Sequence, residues 1–232
     1  MIVLGLAGQA GAGKDTVADY LAARYGFQVF SFSDALYHEV AAAFGLPDES
    51  LLRDRATKDT PSAQLCAENC SDGSFLHVIV ALSGGPKGGD EPLSPRQILQ
   101  WWGAEYRRAQ NPDYWIEKAD RWIYDLWAMF QYPEQRPQLF VNTSVRFANE
   151  QAFIHKFTCG NVWHIRREGH GPANGHVSET PLPMLPYERQ LFNNDSIDRL
   201  HRGIELLLST QAEFVRVEPM LPYDPTQPQK ED

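Results

Sequence analysis

An α/β fold, a parallel sheet flanked by helices on both faces, is predicted by three features of the sequence. Short apolar segments alternate with helical ones along the 232 residues, the pattern of successive βαβ units. The opening segment MIVLGLA is apolar without alternation, as a strand buried on both faces of a parallel sheet has to be. It runs straight into the glycine-rich turn GQAGAGK, Gly8 to Lys14, and then into a helical pattern. A Gly-x-x-x-x-Gly-Lys spacing therefore sits at a strand's carboxyl end, the edge where such sheets bind ligands.

The elements follow in order. The helix after the turn covers 14–25, KDTVADYLAARY, with Gly26 as its C-terminal cap. FQVFSF (27–32) is a second strand; Ser33 and Asp34 open the helix DALYHEVAAAF, which Gly45 and Pro47 end. Residues 46–93 read as irregular, with HVIVAL (77–82) either a strand or a buried helical turn and SGGPKGGDEPLSP a loop. Ser94 caps and Pro95 begins a helix to about Arg108. Asn111 and Pro112 do the same for a helix to about Phe130, on which Trp115, Ala119, Trp122, Leu126 and Phe130 recur as a buried stripe. QLFVNT (138–143) is a third strand, ANEQAFIHKF a helix and NVWHI (161–165) a fourth strand. A glycine- and proline-rich loop follows; QLFNND holds the last short strand, and Ser196 caps a helix to about Phe214. The polar tail from Pro219 is expected to fray. One domain is expected over 1–232: a core of 1–45 and 138–214, an excursion over 46–130, a lid-like loop at 166–186 and the tail 219–232.

Composition narrows the function classes. A net charge of −9 and a pI near 5.2 offer no broad basic face to duplex nucleic acid or an anionic membrane. The apolar start is too short for a signal peptide or a membrane span. Three cysteines without a secretory signal suit free thiols in a reducing cytoplasm, and Cys66-x-x-x-Cys70 lacks a second ligand pair for zinc.

The chemistry centres on the turn. Gly8, Gly11 and Gly13 allow the backbone to wrap an anion, with Ala12 between the last two, and the helix beginning at Lys14 aims its positive end at the same place. Lys14 adds a mobile charge that can follow the β- and γ-phosphates. The next residue is Asp15, where a hydroxyl commonly meets Mg²⁺, and Thr16 comes one later. Asp15 therefore either shares the magnesium role with Thr16 or complements the helix dipole.

GKDTVAD at the turn resembles the deoxynucleoside monophosphate kinases of bacterial viruses and their relatives. SPRQILQWWGAEYRR (94–108), NPDYWI (111–116), SVRFANE (144–150), HVSE (176–179) and FNNDSIDRL (192–200) are similar to further segments of that family; residues 48–93 have no match. The resemblance implies an α/β P-loop kinase with an acceptor-binding excursion and a lid-like loop, using ATP and Mg²⁺ on small nucleotides in the cytoplasm, with a homodimer compatible. It places Arg107, Arg146 and Arg96 near the acceptor's monophosphate, and Asp34 and Trp115 as acceptor contacts; Glu150, four residues after Arg146 on the same helical face, either orients Arg146 or accepts from the sugar or base. For each of these a structural role stands beside the functional one: surface charge for Arg107, a first-turn helix residue for Asp34, core packing for Trp115, a salt bridge to Arg146 for Glu150. Arg166 and Arg167 open the lid-like loop and could reach the transferring group. His164, His170 and His176 are read as surface residues. The family's acidic residue before Val-Arg-Phe is Ser144 here, which puts the metal arrangement in doubt. The rival readings are a kinase for another small acceptor, of the dephospho-coenzyme A or phosphomevalonate type, and a nucleotide-binding relative with weakened catalysis. No Asn-Lys-x-Asp motif supports a GTPase, and the third strand lacks a motor's terminal acidic pair.

Overall fold

A computed structural model describes residues 1–85, 91–132, 135–169 and 180–210. The predicted end of the last helix beyond 210, the tail, part of the glycine-rich loop before Pro95 and the middle of the predicted lid-like loop, with its HVSE, lie outside the described residues. The elements are β1 (Ile2–Ala7), α1 (Lys14–Tyr25), β2 (Gln28–Phe30), α2 (Asp34–Ala43), α3 (Ser50–Arg53), α4 (Gly73–Leu82), α5 (Pro95–Gln100), a π-helical continuation Trp101–Arg108, α6 (Tyr114–Ala128), β3 (Leu139–Val145), α7 (Ala148–His155), β4 (Cys159–Arg166), β5 (Arg189–Phe192) and α8 (Ile197–Thr210). Two compact units emerge: residues 1–31 with those from 125 onward, and Phe32–Tyr124.

The first unit is the sheet. Its five strands are all parallel in the order β2-β3-β1-β4-β5, with β1 at the centre. From β1 the chain leaves toward β2, whereas from β3 and β4 it leaves toward β5. Connections of opposite sense meet at β1, so the carboxyl end of that strand is the topological switch point. The helices cover both faces. Leu4 and Leu6 of β1, Trp163 and Ile165 of β4 and Leu191 of β5 pack with Val17 and Leu21 of α1 and Leu200, Ile204 and Leu208 of α8. Each such buried side chain contributes about 1.5–3 kcal/mol. Gly5 points to the opposite face, where a Cβ would meet Ile154 of α7 at 3.1 Å and Val145 at 2.8 Å; the strand needs glycine there because α7 packs close. The β1–β3 register slips between Gly5 and Ala7, a bulge that re-aims the end of β3 beside the switch point.

The second unit is helical and more regular than its sequence suggests. HVIVAL belongs to α4, because the Asp72 carboxylate accepts from the Ser74 and Phe75 N–H groups, each at 3.0 Å, and starts a helix before the β-branched run. Phe75 of that helix packs on Phe44, Trp102 and Tyr106. Ser94 and Gln97 form a full capping box at α5. On α6 the buried residues are Trp115, Ile116, Ala119 and Ile123, while Trp122 is 40% exposed. The core face is thus rotated from the predicted stripe: Ile116 and Ile123 fill it, and the larger indole of Trp122 lies outside.

Candidate functional site

The glycine turn is held in a shape that side chains resist. Gly8, Gly11 and Gly13 have φ of 148°, 77° and 99°. A Cβ on Gly8 would stand 2.5 Å from the Ile165 carbonyl oxygen, so the turn lies against β4 too closely for any larger residue. The Ala12 N–H donates to the Gln9 carbonyl at 3.2 Å, and the Val17 N–H donates to the Gly13 carbonyl at 3.1 Å, opening α1. Gly13 at the cap position makes no side-chain cap bond. The head of α1 thereby brings its N–H groups and positive dipole end to the turn with no side-chain acceptor from the cap residue. The Lys14 ammonium reaches back to donate to the Gly8 and Gln9 carbonyls at 2.8 and 3.0 Å. Asp15 and Thr16 are exposed on the first turn of α1. A carboxylate and a hydroxyl are hard oxygen donors of the kind Mg²⁺ takes, so their chemistry fits that ion. Asp15 also acts on its neighbour: burial, and then the Asp15 charge, push the Asp19 carboxyl above its ordinary value.

Residues from the far end of the chain set this turn. Asn193, just after β5, donates from Nδ2 to the Ala12 carbonyl at 2.9 Å and from its backbone N–H to the Arg166 carbonyl at 2.8 Å. A side chain on Gly13 would overlap Asn193 Nδ2. The Arg167 guanidinium lies over the turn with Nη1 3.4 Å from the Gly11 carbonyl, and the Glu168 N–H donates to Asn194 Oδ1. Sequence reasoning passed over Asn193; its signal was an Asn-Asn pair directly after an edge strand.

Two recesses flank the turn. One is lined by Gly8, Gln9, Ala10, Val145, Arg146, His164, Arg166, Thr180, Pro181 and Leu182. Arg146 and Arg166, at the carboxyl ends of β3 and β4, are exposed there. The other holds Gln9, Ala12, Ile165, Arg166, Arg167, Glu168, Gln190, Phe192 and Asn194, with Phe192 63% exposed. Lys14, Arg146, Arg166 and Arg167 are thus gathered on one edge of the sheet. Glu150 is buried, and its Oε2 accepts from the Arg146 and Phe147 N–H groups at 2.7 and 3.1 Å, fixing the backbone that carries Arg146 and starting α7. Ser144 sits in the bulge at the end of β3, where its N–H donates to Asn142 Oδ1 at 2.9 Å and its hydroxyl accepts from Ser31 at 2.7 Å. Among the described residues no group of three or more His, Cys, Asp or Glu side chains is arranged to hold a metal, and Cys66 and Cys70 are free thiols.

The second unit has its own polar centre at Glu39, which no sequence motif marked. Its carboxylate accepts from Tyr114 Oη at 2.5 Å, Trp102 Nε1 at 3.0 Å and Arg107 Nε at 3.0 Å, with Lys118 Nζ at 3.2 Å. Burial pushes the Glu39 carboxyl up, but the bonds from Tyr114, Trp102 and Lys118 and the charge of Arg107 outweigh it, and the group is held below its ordinary value. The Arg107 guanidinium also lies 4.5 Å from the Tyr106 ring centroid. The other predicted acceptor contacts have separate partners. Asp34 is paired with Arg53 at 3.2 Å, Arg96 forks onto Asp59, and Trp115 is buried with its indole N–H on the Gly103 carbonyl at 3.1 Å. For Trp115 this geometry supports the packing alternative.

No family model matches the chain, and among the described residues no helix is long and apolar enough to cross a membrane. The chain is 27% identical over 213 residues, covering 88% of its own length and 94% of the relative's, to a protein of Acanthamoeba polyphaga mimivirus described as a "Putative deoxynucleotide monophosphate kinase".

Proposed function

We propose that this protein transfers a phosphoryl group from ATP to a deoxynucleoside or nucleoside monophosphate. The observation that carries the reading is the edge of the sheet at its switch point: a glycine turn of phosphate-binding spacing, the Lys14 ammonium folded across it, and Arg146 and Arg166 in the adjoining recess. The likeness to the viral relative supports it along most of the chain.

In this reading the donor's phosphates lie along the turn against the head of α1, and the Lys14 ammonium exchanges its carbonyl partners for phosphate oxygens. The donor's base takes the recess beside Phe192 and Arg167, an aromatic face and a guanidinium plane suited to stacking. The acceptor's phosphate sits between Arg146 and Arg166, whose charges neutralise the group in transit. Glu150 holds the backbone that carries Arg146. Asp15 and Thr16 would hold Mg²⁺, directly or through water; the ion supplies charge neutralisation at the phosphates. Phosphoryl transfer of this kind needs positioning and charge rather than a histidine base.

The test is ADP release by the purified protein with ATP and each deoxynucleoside and ribonucleoside monophosphate in turn, with and without Mg²⁺. Turnover that depends on a monophosphate acceptor is expected. ATP binding without such turnover would move the assignment to a nucleotide-binding relative, and turnover with only a different small phosphorylated acceptor would change the substrate class.

A further inference from the structure

Behind the recess that holds Arg146 and Arg166 lies a fully buried carboxylate that the reading above does not use. Glu188 has no exposed side-chain surface. It accepts from His155 Nε2 at 2.7 Å, His164 Nε2 at 2.8 Å, the Leu185 N–H at 2.8 Å and Gln151 Nε2 at 2.8 and 2.9 Å. The donors come from α7, from β4 and from the chain just before Glu188 itself. An ionised carboxylate without water is tolerated only when its lone pairs are filled in this way.

What the carboxylate holds is the stretch Thr180–Tyr187. Three prolines, Pro181, Pro183 and Pro186, stiffen it and remove N–H donors, so it has little backbone bonding of its own. Glu188 is the one buried residue from 180 to 188. The stretch is tied down around it: Gln151 Nε2 also reaches the Pro183 carbonyl at 3.0 Å, Asn161 Nδ2 the Tyr187 carbonyl at 3.4 Å, and the Tyr187 ring stands edge-on to His155. At its other end Thr180, Pro181 and Leu182 line the recess beside Arg146 and Arg166, and His164 both lines that recess and bonds Glu188. The peg and the wall are two ends of one stiff strap.

We propose that Glu188 is a positioning residue for acceptor recognition: with Gln151, His155 and His164 it fixes the strap Thr180–Tyr187 as a wall of the acceptor recess. This rests on the kinase reading above. Sequence reasoning took His164 for a surface residue, whereas it is 2% exposed and joins the peg to the recess. The bonds that hold the strap come from α7, β4 and the strap itself rather than from the glycine turn, so loosening the peg should disturb the acceptor's surroundings more than the donor's.

The experiment compares Glu188→Gln and Gln151→Ala with the full wild-type chain. Gln151 lines neither recess, and its change removes strap bonds without touching a substrate contact. Both variants should raise KM for the monophosphate about tenfold while KM for ATP stays within about twofold, and amide hydrogen exchange at Leu185 should quicken. Unchanged KM values, or acceptor and ATP KM rising together as thermal stability falls, would overturn the proposal and leave the cluster a matter of packing. If Glu188→Gln does not fold, Gln151→Ala decides. Failure of the kinase reading itself is seen separately, as wild-type protein that turns over no monophosphate.

Discussion

The glycine turn of the first unit and the Glu39 cluster of the second bind charge by opposite means. At the turn the backbone does the work: three glycines in conformations other residues avoid, the head of a helix, and one mobile ammonium. At Glu39 the side chains do it, and Trp102 and Arg107 from one helix and Tyr114 and Lys118 from the next, all far from Glu39 in the sequence, satisfy one carboxylate. In the proposed reading the first arrangement offers its helix dipole and ammonium to an anion from outside the chain; the second already contains charges of both signs. Substitution at the turn should therefore damage turnover before stability, and substitution at the cluster should damage stability before turnover.

The sharpest way to break that contrast is Lys14→Ala. It should lower kcat by about 10²–10³-fold, the effect of removing a donor from a developing charge, with an unchanged urea midpoint. A lowered midpoint would make the turn structural as well. Next comes Glu39→Ala, which strands two cations in a partly buried place and should cost about 3 kcal/mol in urea unfolding. The acid limb sharpens this. The Glu39 carboxyl is held below its ordinary value, so its stabilisation is present above the unfolded-state value of about 4.3 and lost as pH falls through the lower folded-state one. Glu39→Gln should flatten the loss of stability below about pH 4.3, measured by urea titration across acid pH; an unaltered slope would mean that another carboxylate governs it. The smallest effect is expected for Asn193→Ala, which removes one bond to the turn. It should cost about 1 kcal/mol of stability and a few-fold in ATP affinity by calorimetry.

The same contrast explains what the sequence disclosed. The turn, α1 and its Gly26 cap were legible because backbone requirements leave glycines at fixed offsets. The inner strands β1, β3 and β4 were legible because parallel burial demands apolar runs. The start of α4 was not: the Val-Ile-Val run left strand and helical turn both open, and the decisive Asp72 cap is one ordinary residue. On α6, Trp115 and Ala119 are buried as expected but Trp122 drew the stripe off the core face, since periodicity alone cannot separate adjacent faces when apolar residues occupy both. Glu39, Glu188 and Asn193 carry no spacing at all. Their roles depend on partners that only the folded chain brings near, and no local pattern records that. Arg146 was legible from its place after the third strand, but the use of the Glu150 carboxylate as a cap on its backbone was only half visible in the four-residue spacing.

The bond from Asn193 to the carbonyl of Ala12 spans 181 positions. A chain leaving the ribosome amino end first emerges with its glycines in place but without the amide that completes their arrangement. The middle of the polypeptide has to be synthesised, and the last edge of the sheet laid down, before the opening segment acquires its finished form. In the reading proposed above, the capacity to grip a nucleotide thus arrives late in the life of the nascent chain, although the glycine turn and Lys14 were made first.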